Sequence, residues 1–137
     1  IDLLRQRARP YLFSNALPPV IAAAALQAVN LVAQGDDLRT RLQDNAAFFR
    51  SQLTALGFRL VPGNHPIIPV MLGDATLATS MADRLLRESV YVVGFSFPVV
   101  PKGQARIRVQ MSAAHTRAQL KQAIRAFEKI GRELGVV

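Results

Sequence analysis

Residues 91–115 read YVVGFSFPVVPKGQARIRVQMSAAH, and the fold turns on the second half of that stretch. There Ala105, Ile107, Val109 and Met111 alternate with Arg106, Arg108 and Gln110. Successive side chains of an extended chain point to opposite faces, so this period of two predicts a strand with one apolar face and one face carrying two guanidiniums. Paired arginines on a rigid strand, beside a turn rich in Pro and Gly, suit two-pronged binding of a carboxylate or phosphate. Arginines also serve simply to keep the open face of a sheet wet, and the alternation alone leaves both readings open.

Outward from this strand the chain keeps changing period. Downstream, Thr116 and Gln119 have the spacing of a capping box, and Leu120, Ile124, Phe127 and Leu134 give a buried stripe. They predict a helix over 116–134 that stops at Gly135. Upstream, residues 90–93 read as a strand, and Asp74 is placed to cap a helix over 75–88 whose core face is Leu77, Met81 and Leu85. Residues 67–72, IIPVML, are a strand in which Pro69 points to a sheet edge or a bulge. Residues 58–61 predict a further short strand ahead of the turn PGNHP.

Still earlier the pattern is helical. Asp36 and Asp37 open a helix with Leu38, Leu42, Phe49, Leu53 and Leu56 on one side and Gly57 as its stop. Pro18 and Pro19 suit the start of another, running to Gln34 before Gly35 and apolar nearly all round, which calls for cover on more than one side. Residues 1–9 read as a helix ended by Pro10. Between these lies YLFSNAL, where Ser14 and Asn15 are suited either to capping a turn or to offering a hydroxyl and an amide to a ligand. The order predicts an α+β fold: helices followed by a small, largely antiparallel sheet covered on one side by helices.

Composition narrows the chemistry. The chain has 137 residues, 50% of them hydrophobic, enough for one domain with a real core. It has no cysteine, which excludes disulfides, thiolate metal sites and a cysteine nucleophile. A net charge of +8 raises the question of nucleic acid, but only three residues are lysine and the arginines are scattered instead of forming a dense stripe. The run over 20–33 is broken by Gln27 and Asn30 and is too short for a bilayer span. Neither a nucleic-acid nor a membrane partner is expected. The opening IDLLRQR reads like the last turns of a helix already under way, so the chain is expected to be a piece of a longer protein.

The segments RPYLFSNALPP (9–19), HPIIPVMLGDA (65–75) and VGFSFPVVPKGQARIRVQMSAAH (93–115) resemble the C-terminal part of the α-oxoamine synthases, pyridoxal-phosphate enzymes of the aspartate aminotransferase fold. The phrases PVMLGD and GFSFPVVPKG favour the glycine C-acetyltransferase branch over the 8-amino-7-oxononanoate, 5-aminolevulinate and sphingoid-base synthases. The resemblance implies condensation of glycine with acetyl-CoA to 2-amino-3-oxobutyrate and CoA, a step of threonine breakdown, in a homodimer with a shared active site. By the same resemblance the compartment is the cytoplasm, or the mitochondrion in a eukaryote. Residues 1–35 would be the interface loop and helices that end the large domain, and 36–137 the C-terminal small domain.

Residue by residue, Arg108 matches the family arginine that grips the substrate carboxylate. Ser14 and Asn15 match the loop that reaches the cofactor phosphate of the neighbouring subunit. Lys102, Lys121 and Lys129 match no Schiff-base lysine, so no catalytic residue is expected here and the chain alone is expected to be inactive. His65 and His115 read as local structural residues. The alternatives are a sister synthase or a free-standing α+β domain that holds an anion between Arg106 and Arg108. A basic nucleic-acid module is the weakest rival, for want of interleaved aromatics.

Overall fold

The computed structural model describes residues 1–9 and 17–137, which form two compact units, Ile1–Asp36 and Asp37–Val137. Ser14 and Asn15 lie outside the described residues.

The first unit contains helices α1 (Asp2–Arg7) and α2 (Pro19–Gln34). Proline stands at the first position of α2, where its missing N–H costs nothing, and the Gly35 N–H closes the far end on Val32 O at 3.2 Å. The sequence called for cover over this apolar helix, yet none of its residues is buried: Val20 is 73% and Val32 66% exposed.

The second unit is built from α3 (Asp36–Ala55), which begins at the boundary, then β1 (Ile67–Gly73), α4 (Ala75–Arg87), β2 (Val93–Phe95), β3 (Ala105–Gln110) and α5 (Arg117–Glu133). The strands make one antiparallel sheet in the order β1-β3-β2, so the arginine strand is central. Ile68 faces Val109 and Val70 faces Ile107 on the inner side. These four join Phe49, Leu53, Met81, Leu85, Leu120 and Ile124 in the core. Phe127 lies at its middle, with its ring edge-on to Phe49 at 5.9 Å and to Phe58 at 5.8 Å. Phe58 also presses so closely on α5 that a Cβ at Gly131 would lie 2.6 Å from its Cζ, closer than atoms can approach.

Local chemistry sets the helix ends. Asp74 accepts from Leu77 N at 2.8 Å, and Thr116 with Gln119 forms the expected capping box. After α3, Gly57 takes φ +100, and the Phe58 N–H returns to Leu53 O at 3.1 Å. A side chain is poorly tolerated in that left-handed region, which is why the stop is glycine.

Three local expectations shift. Residues 58–61 make only a bridge, Leu60 opposite Val70, because Pro69 interrupts the ladder. Val61 N donates to Pro69 O at 3.2 Å, but Pro69 has no N–H to return, and Arg50 Nη1 donates to Val61 O instead, at 2.9 Å. The strand expected over 90–93 lies at 93–95, since the Val90 N–H is spent on Leu85 O at the end of α4. Leu38, expected on the packed side of α3, is 56% exposed.

Candidate functional site

The alternation in β3 separates the two arginines from the core as expected: Ala105, Ile107 and Val109 are buried while Arg108 and Gln110 are exposed. The two guanidiniums then part company. Arg106 turns back on its own chain, with Nε donating to Gln104 O at 3.1 Å and Nη2 to Gln104 Oε1 at 3.4 Å. Arg108 lines an open cleft of about 820 Å³ with Tyr91, Val93, Gln110, Ser112 and His115. No aspartate or glutamate lines it, and no carboxylate or carbonyl among the described residues accepts a hydrogen bond from the Arg108 guanidinium. Its one close neighbour of note is the Phe95 ring, 4.5 Å from Cζ to centroid. A cation held without an acidic partner, at the rim of a cleft, is disposed to bind an anion.

Ser112 and His115, which also line the cleft, belong to the loop 112–115, and that loop is held by several hydrogen bonds. Ser112 N donates to His115 Nδ1 at 3.2 Å, and Ala114 N to Ser112 Oγ at 3.1 Å. Asn45, reaching from α3 and only 5% exposed, sends Nδ2 to both Ser112 O (3.1 Å) and His115 O (2.9 Å). The His115 ring nitrogen therefore serves as an acceptor for its own loop. His65 does likewise, accepting from Ile67 N at 3.1 Å. In each histidine, then, one ring nitrogen is engaged by the backbone of its own loop.

The sequence did not single out Asn45, Arg50 or Phe95. Asn45 and Arg50 act on backbone carbonyls, which leave no trace in residue type. Arg50 donates not only to Val61 O but to His65 O at 2.9 Å and Ile67 O at 3.3 Å, fixing the PGNHP turn. Phe95 lies beyond the strand expected at 90–93, and its pairing with Arg108 follows from the register of the strand observed at Val93–Phe95.

No lysine lines the cleft. Lys102 sits over the Phe97 ring at 5.2 Å, and Lys129 pairs with Glu88 at 2.6 Å, whose hydrogen bond and charge hold the ammonium above its ordinary pKa range. Lys121 is exposed on α5. Among the described residues no cluster of His, Asp and Glu is placed to hold a metal, and no helix is long and apolar enough to cross a membrane.

This architecture has close relatives. The chain is 56% identical over all 137 residues to the 2-amino-3-ketobutyrate coenzyme A ligase of Escherichia coli K12, of which it covers 34%. It is 47% identical over the same length to the mitochondrial 2-amino-3-ketobutyrate coenzyme A ligase of Homo sapiens, covering 33%. A solved structure of SPT with PLP superposes with a TM-score of 0.92 at 33% identity, over 99% of this chain and 35% of that one. The chain thus spans about a third of the length of the curated relatives it matches. Residues 1–127 match the family described as aminotransferase class I and II, and the chain belongs to that family.

Proposed function

We propose that these residues are the C-terminal part of a pyridoxal-phosphate-dependent acyltransferase that condenses glycine with acetyl-CoA, giving 2-amino-3-oxobutyrate and CoA. The observation that carries this reading is Arg108: an exposed guanidinium on the central strand, at the rim of a cleft with no carboxylate lining it. Its planar fork suits the glycine carboxylate, and a backbone paired on both sides fixes the point on the sheet from which that fork reaches out. Arg106, bonded to Gln104, takes no part.

Pyridoxal phosphate needs a lysine amine for covalent attachment and a set of donors for its phosphate. The described residues do not make such a site, since none of the three lysines lines the Arg108 cleft. In this reading the attachment belongs to the remainder of a protein of the relatives' length, and Ser14 and Asn15 supply donors to the phosphate across a homodimer interface. What this chain contributes is orientation of the substrate carboxylate. Alone it catalyses nothing. The enzyme works in the cytoplasm, or in the mitochondrion of a eukaryote.

Arg108→Ala in the whole enzyme tests the assignment. Losing two charge-assisted hydrogen bonds should raise the KM for glycine by about 10- to 100-fold, while cofactor absorbance and the KM for acetyl-CoA stay as they were. An unchanged glycine KM would remove Arg108 from the substrate site.

A further inference from the structure

Left to itself, an arginine on the open face of a sheet samples many rotamers, and ordering it on ligand binding costs affinity. Arg108 is not left to itself. In the register of the sheet it lies opposite Val93, with Phe95 two residues along β2 on the same face. That diagonal separation is within reach of a long side chain and a ring, and the guanidinium carbon rests 4.5 Å from the Phe95 centroid. The residue directly opposite Phe95 is Arg106, which would compete for the ring but is turned away to Gln104. The ring is free for Arg108.

The ring is also anchored. β2 pairs with β3 through Val93, Gly94 and Phe95, and the strand rides so close to α4 that a Cβ at Gly94 would stand 3.2 Å from Ala78 O. Phe95 therefore has a fixed backbone on which to present its face. An acidic partner would fix Arg108 too, but it would occupy the in-plane N–H groups that an anion needs. An aromatic face engages the flat of the guanidinium and leaves its edge of donors unspent.

We propose that Phe95 is a positioning residue for Arg108: it sets the plane of the guanidinium before the ligand arrives, so that the carboxylate meets a preoriented fork. This rests on the assignment of Arg108 to the glycine carboxylate, and the test separates the two. In the whole enzyme, Phe95→Leu keeps an apolar side chain but removes the π face. It should raise the glycine KM about fivefold, equivalent to about 1 kcal/mol, with kcat and the acetyl-CoA KM unchanged. Phe95→Tyr, which restores a ring face, should return the glycine KM to within about twofold of the parent. In an Arg108→Ala background, Phe95→Leu should add nothing, because its effect passes through the arginine.

A glycine KM unchanged in Phe95→Leu, a Tyr variant that fails to rescue, or full additivity with Arg108→Ala would each overturn the proposal. So would a Phe95→Leu variant whose kcat falls with its melting temperature and whose glycine KM does not move. If Arg108→Ala raises the glycine KM and Phe95→Leu does not, the ring has no such role and Arg108 keeps its own. If Arg108→Ala itself leaves glycine binding intact, both readings fall together.

Discussion

The two faces of the sheet share a backbone and almost nothing else. On the inner side Ile68, Val70 and Ile107 are wholly buried against α4, α5 and the phenylalanines around Phe127. On the outer side, Pro69 lies beside Arg108, Met71 beside Arg106, and the Phe95 ring is shared by neither strand's core. One residue's step along β3 crosses from one to the other. The inner face specifies the fold because nearly any error there leaves a void or a clash. The outer face is free to carry charge, and there the guanidinium of Arg108 is left unspent by the fold.

That contrast can be broken by substitution, in order of expected effect. Phe127→Ala should cost about 3–5 kcal/mol in urea unfolding, since two edge-on ring contacts and a filled volume vanish together. A loss under about 1 kcal/mol would mean that the inner face is not the structural one. Asn45→Ala should cost about 1–3 kcal/mol, because it strips both Ser112 O and His115 O of their buried donor. If it unfolds like the parent, water replaces the amide and the loop is less dependent on α3 than the geometry indicates. Arg108→Ala, on the outer face, should change unfolding by less than about 1 kcal/mol, the worth of an exposed cation–π contact, although the same change is expected to cripple glycine binding. A larger loss of stability would make Arg108 part of the scaffold and erase the distinction.

Much of the scaffold could be read directly, because its signals are local. The two-residue period at 105–111 gave the central strand, Asp74 and Thr116 with Gln119 gave two helix starts, and Gly57 gave a helix end. Errors came where a partner decides. Residues 58–61 have strand composition, but the proline opposite them limits pairing to one bridge. Residues 90–93 are equally strand-like, but the backbone at Val90 is claimed by α4. The site divides in the same way. Arg108 is legible as an outward-facing arginine, whereas its separation from Arg106 depends on Gln104 and its pairing with Phe95 on register. Asn45 was invisible, since its acceptors are backbone carbonyls 67 and 70 residues further along the chain.

The exchange at Pro69 has a consequence for how the molecule behaves in company. β1 is a margin of the sheet, and a margin with free N–H and C=O groups is a template on which another chain can lay a strand. Here several of these groups are already spent: Met71 N donates to Arg59 O at 2.8 Å, Pro69 O accepts from Val61 N, and Arg50 covers Ile67 O as well as the Val61 carbonyl that proline cannot serve. An incoming strand would have to displace a guanidinium held by three carbonyls and would still meet a residue that cannot donate. The proline that spoils one strand thereby protects the sheet from growing by strand addition along this margin.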